Sequence, residues 1–554
     1  MKKLIKEKII LALKSVGVDV PAGFNIDQPP KREMGDFATN VAMVVASVSK
    51  NNPREIAETI KVQLEKDIDI EKVEIAGPGF INIFVKNDVY FTELQNILDE
   101  KSGYGKSNIG KGKKVNIEYI SANPTGPLHV GNARSGPIGL ALSKLFKFQG
   151  YEVTDEFYVN DLGGQIIKFG KSLYYWFEVK ANPKAEFPEG GYPGEYIKET
   201  SEMVQSNFAK EIEKISDSDA KIEFFAQRGL DIMIENIKND VALVGIKFDK
   251  WTKESEILKS GRPEKVVSEL KSRGFVAEKD GAVWFKNPDD TELADAEAVL
   301  IKSDEAKTLT YFTNDISYHL DKFDQVGKDG KLIDVWGANH SGHIPRIKAA
   351  ISAIGYPAQN LEIVLYQYVR LKKSGEAMSM GKRLGNFITL RAVIEAGVQA
   401  DAFKYFIISQ NNNTPIDFDI ELAADTSEKN PVFYIKYAHA RIASILKRAE
   451  EFGVIKDGQE SNLKLLNTEK ELTLIKEIIK FPEIISATAE NFQIQTLPHF
   501  AYNLASLFHD FYNSCKVLSD DEKLTSARLS LILATKYVLA NALNVCGIDA
   551  PEKM

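Results

Sequence analysis

Residues 115–132, VNIEYISANPTGPLHVGN, constrain the fold more than any other stretch of the chain. A β-type run (115–121) passes into a loop punctuated by Pro124, Gly126 and Pro127, and an apolar helical pattern follows at 139–146. A strand, a tight turn and a helix in succession form the unit of a doubly wound α/β fold. The same junction makes a polyphosphate site, because unpaired N–H groups and the helix dipole point at the turn. Gly131 lets the backbone approach a flat base without a Cβ in the way, and His129 and Asn132 add side-chain donors three residues apart.

From residue 115 strands and helices alternate: 115–121, the helix after Gly131, the run 151–159, and a helix opened by Asp161. That alternation predicts a parallel sheet. Between 170 and 300 the pattern turns to charged helices and a hairpin at 274–285, read as an insertion between the two halves of the nucleotide fold. Strand-like runs return at 309–320, 331–340 and 361–371, the first two each leading into a helix. After Leu390 the pattern is helical to the end, and Asn430-Pro431 reads as an N-cap followed by the first helical residue.

Residues 1–105 read as a separate α+β module, with helical patterns at 2–16, 36–50 and 53–66 and a strand pair at 73–85 around Gly77-Pro78-Gly79. The Gly/Lys-rich stretch 102–114 reads as the linker to a catalytic domain at 106–395, and 396–554 as a C-terminal helical domain.

A net charge of −8 argues against a protein that grips RNA chiefly through phosphates, yet allows a shape-reading enzyme with local basic patches. Lys101, Lys106, Lys111, Lys113 and Lys114 form one such patch, or a solvated linker. The basic N-terminus is interrupted by Lys6, Glu7, Lys8 and Lys14, so it reads as an amphipathic helix and not a signal peptide. The apolar segment 529–547 carries Lys536 and two asparagines, which suits a buried helix better than a membrane span. Cys515 and Cys546, with no CxxC pairing, suit a reducing cytosol.

The words SANPTGPLHVGN (121–132), YVNDLGGQ (158–165), YFTNDISYH (311–319), VWGANHSGH (335–343), GKRLGNFITL (381–390) and NPVFYIKYAHARIASI (430–445) occur in that order. Together they resemble the arginyl-tRNA synthetases of bacteria over nearly the whole chain. The resemblance implies a Rossmann-like class I catalytic domain, an N-terminal α+β domain that contacts the tRNA D-loop, and a C-terminal anticodon-binding helical bundle. It implies ATP-dependent formation of arginyl-adenylate, transfer to tRNA-Arg, and a cytoplasmic monomer.

Carried onto this sequence, the family pattern makes His129, Asn132 and Lys382 catalytic and adds Gly131 and Met380 to the ATP site. It places Glu118, Asn123, Tyr311, Asp315 and His340 around arginine, and Phe80 and Asn82 against tRNA. Carboxylates are the right acceptors for a planar, five-donor guanidinium. Tyr311 and Asp315, four apart, share a face if their segment is helical. Three positions depart from the pattern. Asn132 stands for the second histidine of the "HIGH" element, Ser379-Met380-Gly381-Lys382-Arg383 stands where KMSKR would, and Asn339 replaces an aspartate. Those departures leave open a tRNA-binding paralogue without catalysis, and another class I synthetase of cysteinyl type is the alternative enzyme. His340 and His343 lack a third zinc partner, so no zinc is expected, and Mg²⁺ is expected only with the ATP phosphates.

Overall fold

A computed structural model describes residues 1–286, 298–373, 376–377, 388–453 and 461–554. At its centre lies a parallel five-stranded sheet in the order Leu361–Tyr366, Lys331–Gly337, Lys114–Glu118, Glu152–Val159, Lys250–Lys253. Val115, Ile117, Leu332 and Ile333 are fully buried, as expected for strands covered on both faces. The strand order reverses between Lys114–Glu118 and Lys331–Gly337, and the crevice beyond their carboxyl ends is where such sheets bind ligands.

Several elements differ from the sequence reading. The run 309–320 is not a strand, because a helix, Tyr311–Val326, begins within it. Its buried Phe312, Ile316, Leu320 and Phe323 recur at helical spacing, a period masked by the β-formers between them. The helix after Asp161 starts only at Gly164, and the first residues of the 36–50 pattern form a short strand, Phe37–Thr39. Within 170–300, the helices Gly164–Glu178, Glu195–Asn207 and Ser218–Ala242 pack around Phe169, Leu173 and Phe225. The same region also supplies Lys250–Lys253, the edge strand of the central sheet, so part of it belongs to the first half of the nucleotide fold. The hairpin Val276–Lys279/Ala282–Phe285 turns on Asp280 and Gly281, both at positive φ, as the twist of a two-residue hairpin requires. A strand, Ile416–Asp419, pairs in parallel with Val369–Lys373 and interrupts the expected all-helical remainder.

The N-terminal module folds as an antiparallel sheet of Ile26–Asp27, Phe37–Thr39, Phe80–Val85 and Ile70–Ala76. The C-terminal helices are Pro431–Glu451, Glu469–Ile478, Phe481–Asn491, Thr496–Ser514 and Glu522–Val545. Asn430 caps the first of them through a bond from the Val432 amide to its Oδ1 at 3.1 Å. No helix of the described residues is long and apolar enough to cross a membrane. The stretch 102–114 is packed and not a loose tether: Tyr104 is buried, and its carbonyl accepts from Asn541 Nδ2 at 3.0 Å. Gly105, at φ 83°, lies so close to Phe481 that a Cβ there would meet the ring at 2.7 Å.

Arg134 ties the helix that follows the turn to two later segments, 367–368 and 411–414. It is completely buried, and its guanidinium donates to the carbonyls of Gln367, Tyr368, Asn411, Asn412 and Thr414 at 2.5–3.2 Å. Burial pushes the group down to about 10. Replacing it with Met strands several buried carbonyls, each costing about 1–3 kcal/mol. Calorimetry of Arg134→Met should show a clearly lowered unfolding transition. Arg134→Lys should recover only part of the loss, because a compact ammonium cannot span so many acceptors.

Candidate active site

Glu118 ends its strand buried at the reversal point, and the chain then makes a strained turn. The Ser121 amide donates to the Tyr119 carbonyl at 3.0 Å, closing a γ-turn on Ile120 at φ 68°. Positive φ is unfavourable for a β-branched residue and persists only where the surroundings over-determine it. Here the Ile120 amide donates to Ser135 Oγ at 3.0 Å, and the Ile120 side chain lies on Gly136, where a Cβ would meet it at 3.1 Å. The turn brings Ser121 Oγ to donate to Glu118 Oε1 at 2.9 Å and to accept from the Tyr158 amide at 3.1 Å. The loop after it then runs along the rim of the crevice.

His129 caps the short helix Val130–Ala133, its Nδ1 accepting from the Asn132 amide at 3.2 Å. That bond leaves the ring proton of a neutral imidazole on Nε2. A Cβ at Gly131 would stand 3.1 Å from the His129 ring, so a larger residue here would push the histidine by a few tenths of an ångström. The residues after the Gly/Lys loop return to this turn: Val130 N donates to Ile388 O at 3.0 Å, and Leu390 N to Leu128 O at 2.8 Å. Met380 and Lys382, with Ser379, Gly381 and Arg383, lie outside the described residues.

Glu118, Asn123, Asn132, Asp315 and His340 line one cavity of about 680 Å³ at the reversal point. His129 lines an adjoining cavity of about 280 Å³ that shares Asn123 and Asn132 with it. Tyr311 is 55% exposed at the margin, its hydroxyl 2.0 Å from where a Cβ of Gly163 would stand. Phe80 and Asn82 lie apart in the N-terminal sheet, Phe80 42% exposed and Asn82 only 5%.

The crevice is rich in carboxylates. Asp315 Oδ2 accepts from His343 Nε2 at 2.9 Å. Glu254 is buried and accepts from Asn314 Nδ2 at 2.8 Å. Burial pushes the Glu254 carboxyl above its ordinary value, Asn314 pulls it back, and the charges of Asp315 and Asp161 push it up again. Asp161 holds the neighbouring residue, Ser255, through its amide at 2.9 Å and its hydroxyl at 2.6 Å. The sequence reading missed Glu254 because it lay inside the presumed insertion. The available signal was a carboxylate directly following the short run Lys250–Lys253, the carboxyl-end position of a parallel strand. Two carboxylates, Glu118 and Asp315, line the cavity, and the buried Glu254 lies close enough to Asp315 to feel its charge, which suits a cation.

Residues 93–442 match the family described as "tRNA synthetases class I (R), catalytic domain". The fold and this match define a class I aminoacyl-tRNA synthetase. Residues 3–85 match "Arginyl tRNA synthetase N terminal domain" and 435–554 match "DALR anticodon binding domain". An arginine–tRNA ligase of Caldanaerobacter subterraneus is 42% identical over 100% of this chain and 99% of its own. A crystal structure of a putative arginyl-tRNA synthetase from Campylobacter jejuni superposes with a TM-score of 0.73 at 31% identity, covering 85% of this chain and 100% of that one. The Thermus thermophilus arginyl-tRNA synthetase shares the fold, with a TM-score of 0.78 at 22% identity over 100% of both chains. The chain belongs to the arginyl-tRNA synthetase family, and its activity is the ATP-dependent ligation of arginine to tRNA. Identity at this level over the full length disfavours both the cysteinyl-type enzyme and the non-catalytic paralogue.

A charge on Glu254, which interacts with Asp315, favours a cation bound beside that residue. As pH falls through that carboxyl's raised value this charge is lost, so the arginine KM should climb as the pH is lowered. Glu254→Gln should raise the arginine KM at the higher pH and remove part of this dependence, with aminoacylation kinetics as the measurement.

Proposed function

We propose that the two adjoining cavities divide the reaction, the acidic one holding arginine and the His129 turn holding the ATP phosphates. The observation that carries this reading is that Glu118 and Asp315 line the cavity that also takes in Asn132, while His129 lines the cavity adjoining it. Glu118 and Asp315 accept from the guanidinium, with Tyr311 as a further polar contact. Asn123 and His340 hold the α-amino and α-carboxylate groups.

The arginine carboxylate attacks the α-phosphate of ATP in line, the bond to pyrophosphate breaks, and arginyl-adenylate forms. A terminal ribose hydroxyl of tRNA-Arg then attacks the adenylate carbonyl and releases AMP. Neither step needs a protein nucleophile, so catalysis consists of placing two anions together and stabilising charge on the phosphates. His129 and Asn132 donate to those phosphates, Gly131 and Met380 flank the base, and Lys382 supplies the positive charge of the Gly/Lys loop. Mg²⁺ arrives with ATP. Residues 1–105 contact tRNA, with Phe80 as the exposed aromatic and Asn82 beside it in the strand. Residues 106–395 carry the chemistry, residues 396–554 read the anticodon, and the chain acts as a cytoplasmic monomer.

Asp315→Asn should raise the arginine KM by about tenfold or more with little change in ATP KM, because it removes the charge and keeps the shape. An unchanged arginine KM would remove Asp315 from the guanidinium site. Lys382→Ala should lower kcat for adenylate formation by ~10²–10³-fold while the arginine KM moves little, the usual scale for one preorganised donor. Arg383→Ala should cost less. Single-turnover assays with tRNA present check both, and a wild-type rate in Lys382→Ala would sink the loop's role.

A further inference from the structure

Beneath the acidic cavity runs a chain of buried groups that touches no reacting atom. His319 Nδ1 meets the backbone carbonyl of Asp315 at 2.7 Å, and its Nε2 meets Asp334 Oδ2 at 2.8 Å. Lys322 Nζ donates to Asp334 Oδ1 at 2.6 Å and to Glu118 Oε2 at 2.8 Å. Lys322 and Asp334 are fully buried and His319 nearly so. Asp315, His319 and Lys322 fall at i, i+4 and i+7 on the helix Tyr311–Val326, one face of it. Asp334 and Glu118 are register partners on adjacent parallel strands, two carboxylates side by side with the ammonium reaching both.

We propose that Lys322 is a positioning residue for arginine recognition: it holds one oxygen of Glu118 turned inward, and through Asp334 and His319 the same chain fixes the backbone at Asp315. The inference rests on the reading that Glu118 and Asp315 bind arginine. Both nitrogens of His319 face oxygen atoms, the Asp315 carbonyl and the Asp334 carboxylate, so the ring is held at both ends. Burial drives the Glu118 carboxyl above its ordinary value, Lys322 pulls it down, Asp334 pushes it up, and His319 pulls it down again. Asp334 is held below its ordinary value, since Lys322 and His319 outweigh its burial. The groups facing Glu118 are Lys322, His319 and Tyr318 from the helix, Asp334 from one neighbouring strand, and Tyr158 from the other, where Glu156 also faces Lys322. Among them Lys322 is the cation in direct contact with Glu118.

The test uses the full-length enzyme with Lys322→Met, and Glu118→Gln as reference. Without Lys322 the pH at which the arginine KM begins to rise should move up by about one unit, which is a tenfold change in affinity at a fixed pH within that window. ATP KM should stay within about twofold, a split that general loosening of the fold would not produce. Removing one member of a buried charge set can prevent folding. The variant Lys322→Met/Asp334→Asn therefore accompanies it, since it removes the opposing carboxylate with the ammonium and should fold while still showing the raised arginine KM. If Glu118→Gln raises the arginine KM but the Lys322 variants keep the wild-type KM and pH profile, the inference is overturned. An arginine KM unchanged in Glu118→Gln instead overturns the reading of Glu118 as an arginine ligand.

Discussion

Glu118 and Asp334 stand opposite one another on neighbouring strands, and the geometry of the crevice depends on how their repulsion is relieved. Like charges placed directly across a strand pair destabilise a sheet, and burial multiplies the effect. Lys322 resolves it from a helix packed against the sheet, reaching both carboxylates at once. Its positive charge opposes the burial that drives the Glu118 carboxyl above its ordinary value. That charge is available because the helix Tyr311–Val326 presents Asp315 to the cavity and His319 and Lys322 to the sheet beneath.

The turn after Glu118 carries the complementary constraint. Ile120 is held at positive φ by Ser135, and the glycines of the following helix leave room for it and for the Tyr119 ring, which lies 2.1 Å from where a Cβ of Gly139 would stand. Strain there is supported by close packing on one side and directs Ser121 and Asn123 toward the cavity on the other. The turn at His129 is joined by backbone bonds to Ile388 and Leu390, so the two halves of the nucleotide fold meet at the turn proposed to hold the phosphates.

Much of this architecture is legible in the sequence where local and global signals agree. The strand, turn and helix from 115 to 148 read correctly because Pro and Gly punctuate the change of period, and the cap at Asn430-Pro431 is specified by two residues alone. The helix at Tyr311 does not read that way. Its Tyr, Phe, Thr and Ile favour strands locally, and only burial of one face selects the helix. Glu254 was hidden for a different reason. Its strand is an edge of four residues, too short to register among charged helices, and the long connection before it looked like an inserted domain. Lys322 offers no local signal at all, since a lysine on an amphipathic helix ordinarily faces water. The packing of 102–114 is similarly invisible, because it depends on Phe481 and Asn541, more than three hundred residues away.

Arg134 recognises main chain and no side chain at all among its bonded partners. A clasp of that kind reads the path of the backbone and is indifferent to what the backbone carries. Residues 367, 368, 411, 412 and 414 are therefore free, as far as this clasp is concerned, to change identity over evolutionary time. Gaining or losing a single residue between them would shift the carbonyls out of register with the guanidinium. The junction between the nucleotide fold and the helical domain thus tolerates substitution and resists insertion or deletion, the reverse of an ordinary surface loop.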